Sequence, residues 1–218
     1  DRKIVMQQLR PVSKFEKIME TACKAINDFI SEKPSDLKIY EMDHPDVLLW
    51  AVWCIQQYAK MVSREKCREK YGQVLEDIMD YLRKGGHNNL FIHSNGLIYS
   101  NGSDKAITWM NSTANGRPVI TRTGYIVEFN ALWYNALRFV SELLGEKEST
   151  LLTEDLNEIA EKAGKAFVET FLNEHGYLLD YVDGNMMDWS VRPNMIFAAA
   201  FDYSPLNARQ KKGVVDIC

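Results

Sequence analysis

The run VLLWAVWCI, from Val47 to Ile55, has no polar side, and Ile126 to Leu144 is almost as continuously apolar. A helix that is apolar all round must be enclosed by neighbours. The chain therefore needs at least two tiers of helices, with these two segments in the inner tier. The other helical segments are one-faced. Phe15, Ile18, Met19, Ala22, Ile26, Phe29 and Ile30 recur at three and four, which predicts an amphipathic helix from about Val12 to Glu32, ended by Pro34-Ser35. The second helix starts between Asp43 and Asp46, where Pro45 suits a first turn. The third, about Ser63 to Arg83, sets Tyr71, Val74, Leu75, Ile78, Met79 and Leu82 on one face and stops at Gly85-Gly86. The fifth, about Thr153 to Asn173, opens on Thr153-Glu154-Asp155, a favourable N-terminus. A sixth begins near Pro193 and a seventh near Ser204 or Leu206.

Alternation of enclosed and one-faced helices is the rhythm of an α/α toroid, with an inner and an outer ring. Six or seven helices make up roughly half of a twelve-helix barrel. The expected fold is all-α, and residues 1–218 are read as a single partial domain with short β-hairpins in its rim loops. No short-period repeat points to a regular solenoid.

Two stretches interrupt the helices. From His87 to Gly124 the period disappears and Gly, Asn, Ser and Thr become frequent. Connections this long inside a helical domain are usually functional. Strands are expected at Leu90 to His93 and Leu97 to Ser100, joined by a tight turn at Asn95-Gly96. Ile98, Tyr99, Ile107 and Trp109 mark the stretch as packed. The second interruption runs from Glu174 to Ser190.

Composition narrows the function. A net charge of −4 gives no footprint for nucleic acid or for an anionic membrane. No apolar run reaches the ~20 residues that a bilayer span needs. The four cysteines, Cys23, Cys54, Cys67 and Cys218, are scattered and fit a reducing, cytoplasmic setting better than a disulfide framework. The start, DRKIVMQQLRP, lacks the apolar core of a signal peptide, and both ends read as cut from a longer polypeptide. No HExxH, P-loop, GxGxxG or GxSxG occurs, so no metal and no organic cofactor is expected.

Candidate ligand-binding groups concentrate in the two interruptions. The first offers Trp109, Asn111, Asn115, Arg117, Arg122, Glu128 and Asn130. The second offers His175, Tyr177, Asp180, Asp183, Asp188, Trp189, Arg192 and Asn194. Aromatic faces beside carboxylates, amides and arginines suit a sugar, whose C–H faces stack on rings while its hydroxyls need donors and acceptors. Glycoside hydrolysis further needs two carboxyl groups across the scissile bond. Each residue also has a plain structural use. Glu128 falls in a helix's first turn, Arg192 is able to pair with Asp188, and loop Asp and Asn commonly make turns.

Three segments carry a family resemblance. They are Thr108-Trp109-Met110-Asn111; Arg122-Thr123-Gly124 running into VEFNALWYN, Val127 to Asn135; and DWSVRPN, Asp188 to Asn194. Weaker echoes are Asp46 to Trp50 and Asn95 to Tyr99. In this order and spacing the chain resembles the C-terminal domain of glycogen debranching enzymes, the amylo-α-1,6-glucosidase family. The resemblance implies a glucoamylase-like (α/α)6 toroid that hydrolyses α-1,6-linked glucose at branch points of glycogen-type glucans with a pair of carboxyl groups, without a cofactor. It implies a branched α-glucan as partner, together with the remainder of the parent polypeptide. It selects Trp109, Asn111, Arg122, Glu128, Asp188, Trp189 and Arg192 as substrate-binding.

One departure matters for catalysis. The family pattern reads TWMD and implies its general acid at the last position, where this chain has Asn111. An amide cannot supply a proton at useful pH. Glu128 and Asp188 are the nearest substitutes as catalytic residues, and the fragment alone is expected to have little or no debranching activity. Two other readings stand beside this one. The first is a non-catalytic glucan-binding or scaffolding helical module, favoured by Asn111. The second is another toroid glycosidase, glucoamylase-like or trehalase-like.

Overall fold

At the centre of the computed structural model lies helix α4, Val127–Gly145, with Trp133, Leu137, Val140 and Leu143 fully enclosed. The described residues are 2–31, 44–102, 105–146 and 150–218. Helix α5, Leu151–Phe171, runs back along α4 and makes its most extensive packing. Helices α2, Val47–Met61, and α3, Arg64–Arg83, pack on the other flanks of α4, and α1, Arg2–Ile30, lies across α3 and α2. A single 3-10 turn at Pro193–Met195 leads into the short α6, Ile196–Ala200, which is followed by α7, Ala208–Ile217. The fold is all-α with short antiparallel hairpins, consistent with part of an α/α toroid.

The inner-tier assignment holds along most of α4, where Glu142 is exposed and Tyr134, Arg138 and Leu144 are half-buried, and on one side for α2. Leu48, Leu49, Val52 and Ile55 are inaccessible, but Trp50 and Trp53 are only half-buried. They meet edge to face, ring centroids 5.7 Å apart, and share an aromatic cluster with Phe197 and Phe201. The Trp50 indole N–H donates to Asp46 Oδ2 at 3.1 Å. Such amphipathic rings keep one edge wet and tolerate partial exposure.

Boundaries moved where caps decide them. Helix α5 starts at Leu151, earlier than the apolar pattern suggests, because Thr150 is its N-cap and Thr153 its reciprocal partner. Thr150 Oγ1 accepts from the Thr153 N–H at 3.2 Å, and Thr153 Oγ1 accepts from the Thr150 N–H at 2.8 Å. Asn207 and Gln210 make the same exchange and set α7 at Ala208 rather than Ser204 or Leu206. Helix α1 begins at Arg2 rather than Val12; its expected end at Glu32, the Pro34-Ser35 stop and Asp43 lie outside the described residues.

The first interruption folds as expected at its start. Strands β1, Phe91–Ile92, and β2, Ile98–Tyr99, pair with Phe91 opposite Tyr99. Gly96 turns between them at φ +84°, and a Cβ there would come within 2.7 Å of the α5 backbone at Ile159 and Ala163. The Trp133 indole N–H donates to the Gly96 carbonyl at 2.9 Å, so this turn is fastened to both α4 and α5. A second hairpin, β3 (Thr113–Ala114) with β4 (Arg117–Pro118), turns at Asn115-Gly116, where both φ angles are positive. Strand β5, Tyr125–Ile126, pairs with β6, Tyr181–Asp183, and β6 with β7, Met186–Met187. This three-stranded ribbon joins the two interruptions. Among the described residues no helix is long and apolar enough to cross a membrane.

Candidate active site

The two interruptions meet because Gly124 allows the approach. It sits at φ +86°, and a Cβ would collide with the Val182 carbonyl and the Asp183 backbone. One residue on, β5 pairs with β6, and the chain then turns into α4. The first N–H of α4, at Val127, is satisfied by the Asp180 carbonyl at 3.1 Å. The start of the central helix is thus capped by the opposite loop. Glu128 follows in the first turn, where a carboxylate is favoured by the helix N-terminus.

Arg122 lies beneath this junction, its side chain only 1% exposed. Its Nη1 and Nη2 form a fork on the Glu128 carboxylate, with Nη2 to Oε2 at 2.6 Å. Its Nε donates to Asp180 Oδ2 at 2.8 Å, and Nη2 to Asp180 Oδ1 at 2.9 Å and to the Asp180 carbonyl at 3.2 Å. Burial pushes the Glu128 carboxyl above the ordinary carboxylate value, against the pull of the guanidinium. With 1% of its side chain exposed and both oxygens taken by Arg122, Glu128 faces inward.

Asp180 is the hub. Besides Arg122 it receives Arg192 Nη1 on Oδ2 at 2.7 Å and Asn194 Nδ2 on Oδ1 at 2.7 Å. Arg192 Nη1 also reaches Asp188 Oδ2 at 2.9 Å, and Asp188 Oδ1 accepts from the Ser190 N–H at 2.8 Å. Burial by itself would raise Asp188, but the hydrogen bonds from Ser190 and Arg192 outweigh it and hold this carboxyl below its ordinary value. Asp188 is an anion that is able to accept a proton and poorly suited to deliver one.

Asn194 ties in the first loop. Its Oδ1 accepts from the Trp109 indole N–H at 2.9 Å, and its Nδ2 lies 3.4 Å from Met110 Sδ. Trp109 is nonetheless 54% exposed. The continuous path is therefore Trp109–Asn194–Asp180, branching to Arg122–Glu128 and to Arg192–Asp188. Asn111, one residue beyond Met110, is exposed and outside the hydrogen-bonded set, as is the Trp189 ring at 44% exposure. Trp189 takes the Tyr177 hydroxyl on its backbone carbonyl at 3.2 Å, and its ring meets His175 edge to face.

Of the residues selected from the sequence, Trp109, Arg122, Glu128, Asp188 and Arg192 are gathered into one network. Other candidates of the two loops serve the scaffold. Asn115 occupies a turn, and Asn130 is buried, accepting from the Ile98 N–H at 2.8 Å and donating to the Ile98 carbonyl at 3.0 Å. The selection passed over Asp180 and Asn194, which hold the network together. A signal existed for Asp180: it is the lone acid in the apolar run Leu178-Leu179-Asp180-Tyr181-Val182, and a carboxylate so placed needs a cationic partner.

A family model described as amylo-α-1,6-glucosidase matches residues 38–218. The chain belongs to the amylo-α-1,6-glucosidase family. A comparison with curated proteins gives no match. As a member of this family the chain is a glycosidase domain of the glycogen-debranching type. All the residues of the network fall within the matched span.

Proposed function

We propose that the domain handles the branch points of a glycogen-type α-glucan and that its reaction is hydrolysis of α-1,6-linked glucose. In this reading the exposed rings of Trp109 and Trp189 stack on pyranose faces, Asn111 and the outer edge of Arg192 bind hydroxyls, and Asp188 serves as the anionic carboxylate facing the sugar. Arg122 and Glu128 are positioning residues. They fix the start of α4 against β6 and so set where Asp188, Arg192 and Trp109 point.

The observation that carries this reading is the Trp109–Asn194–Asp180 path, which holds the TWMN loop beside the carboxylate-bearing loop. Position 111 bears an amide and Asp188 is held ionised, so the arrangement lacks a proton donor for the leaving oxygen. The 218-residue chain alone is accordingly expected to turn over branched dextrin very slowly.

Asn111→Asp tests this. The expected result is a gain of about 10²–10⁴-fold in glucose release from a phosphorylase limit dextrin, the usual worth of a general acid, far larger than any change in glucan affinity. α-Glucosyl fluoride, whose leaving group needs no proton, should show little gain. No gain on dextrin would refute an acid position at 111. It would favour the second reading, a non-catalytic glucan-binding module, which Asn111 itself supports. Testing isomaltose, maltose and trehalose alongside separates branch-point hydrolysis from a glucoamylase-like or trehalase-like preference.

A further inference from the structure

The hairpin β1–β2 and the ribbon β5–β6–β7 are one continuous surface. Ser100, just after β2, and Gly124, just before β5, exchange two backbone hydrogen bonds of 2.9 and 2.8 Å. Across this seam sits an aromatic cluster that the Arg122–Asp180 network does not use. His93 stacks on Tyr99 with ring centroids 5.2 Å apart and planes 17° from parallel. Tyr125 meets both rings edge-on, at 5.4 and 5.9 Å. His93 Nδ1 and the Tyr125 hydroxyl are hydrogen-bonded at 2.7 Å, and the Tyr99 hydroxyl donates to Asp183 Oδ1 at 2.9 Å. Phe91, paired with Tyr99 across β1–β2, is 45% exposed, and His93 is exposed as well.

Three properties set this cluster apart from core packing. Its rings come from hairpins on the surface rather than from the helices. Every ring beyond Phe91 carries a polar edge already oriented by a partner, so hydroxyl-sized donors and acceptors ring an apolar face. Strand β5 also runs directly into α4 and Glu128, and Asp180 stands immediately before β6, so the cluster and the network share one backbone junction. Ring faces bordered by fixed polar groups suit a neutral polyol with apolar C–H faces. The Asp183 carboxylate at their edge disfavours an anion.

We propose that Phe91, His93, Tyr99 and Tyr125, with Asp183 as hydroxyl acceptor, form a second sugar-binding platform that takes a glucan arm beside the candidate active site. The choice of a glucan rests on the proposed function; the location of the platform rests on the cluster itself.

The test uses maltoheptaose with the whole 218-residue chain, following the imidazole resonances by NMR while measuring affinity by calorimetry. Binding should shift the His93 ring signals. His93→Ala with Phe91→Ala, both on exposed side chains, should weaken affinity about tenfold, with the circular dichroism spectrum unchanged. Trp109→Ala should leave the His93 shift in place. Binding that survives the double substitution within twofold, with no His93 shift in the unsubstituted chain, would overturn the platform while leaving the proposed function standing. Absence of any maltoheptaose binding, including at Trp109, would overturn both.

Discussion

Replacing Arg122 by Met asks what holds the junction of the two loops together. The guanidinium makes five hydrogen bonds, four of them to the oxygens of two buried carboxylates. The loss does not fall equally. Asp180 keeps Arg192 and Asn194, each at 2.7 Å. Glu128 loses both of its guanidinium donors in a site with 1% exposure. Removing one partner of a buried ion pair costs about 3–5 kcal/mol, a large share of the roughly 5–15 kcal/mol that stabilises a domain. Urea unfolding followed by far-UV circular dichroism should show that loss as a lower midpoint at unchanged slope. Adding Glu128→Leu removes the stranded charge and should recover at least half of it, although a second substitution is usually a further burden. The pH dependence has a definite sign. In Arg122→Met the folded state holds a proton on Glu128 more tightly than the unfolded state does. Stability therefore falls as pH rises above the unfolded carboxylate value of about 4.3 and levels off above the raised folded value. The deficit at pH 5 should be smaller than at pH 8. A single variant within about 1 kcal/mol of the parent, or a double variant no more stable than the single, would refute the reasoning.

Three further outcomes are expected. Gly124→Ala places a methyl group at φ +86° against the Val182 carbonyl; a cost of about 2 kcal/mol should lower Tm by about 4–8 °C in a domain of this size, measured calorimetrically. Asp188 has a depressed pKa, so its contribution to stability is complete above the unfolded value and is lost as pH falls through the folded one. Acid unfolding of Asp188→Asn should lack that component, visible as a flatter stability profile below about pH 4. Trp109→Phe keeps a ring at the surface but removes the N–H that Asn194 Oδ1 accepts; with Asn194 fully buried, the expected loss is about 1–3 kcal/mol by urea unfolding.

The helices were legible in the sequence because burial imposes a period. Val47 to Ile55 and Ile126 to Leu144 had to be covered, and α4 packs against α2, α3, α5 and α6 while α2 packs against α1, α3 and α4. The Asn95-Gly96 hairpin was legible because only a few dipeptides suit such a turn. The three-stranded ribbon was not, since strands of two or three residues carry no measurable alternation and their pairing joins positions 125 and 182. Thr150 was missed as a cap because Thr153 looks identical in type and only the hydrogen-bond exchange distinguishes their places. Within the site, the kinds of residue were evident from the sequence. Their ranking was not: Arg122 and Glu128 face inward, while Asp180, the lone acid of the run Leu178 to Val182, gathers three partners.

The capping of α4 by the Asp180 carbonyl also orders events during synthesis. Arg122 and Glu128 are six residues apart and are able to pair as soon as both have left the ribosome. Asp180 is 58 residues behind Arg122. At about 5–20 residues per second it arrives about 3–12 s later. Throughout that interval the central helix has an open first turn and the Arg122 guanidinium has only one of its two carboxylates. The nascent chain must therefore keep its inner helix competent while its last cap is still being made, and the residues from Tyr177 to Asn194 act as a closing clasp on a helix made long before them.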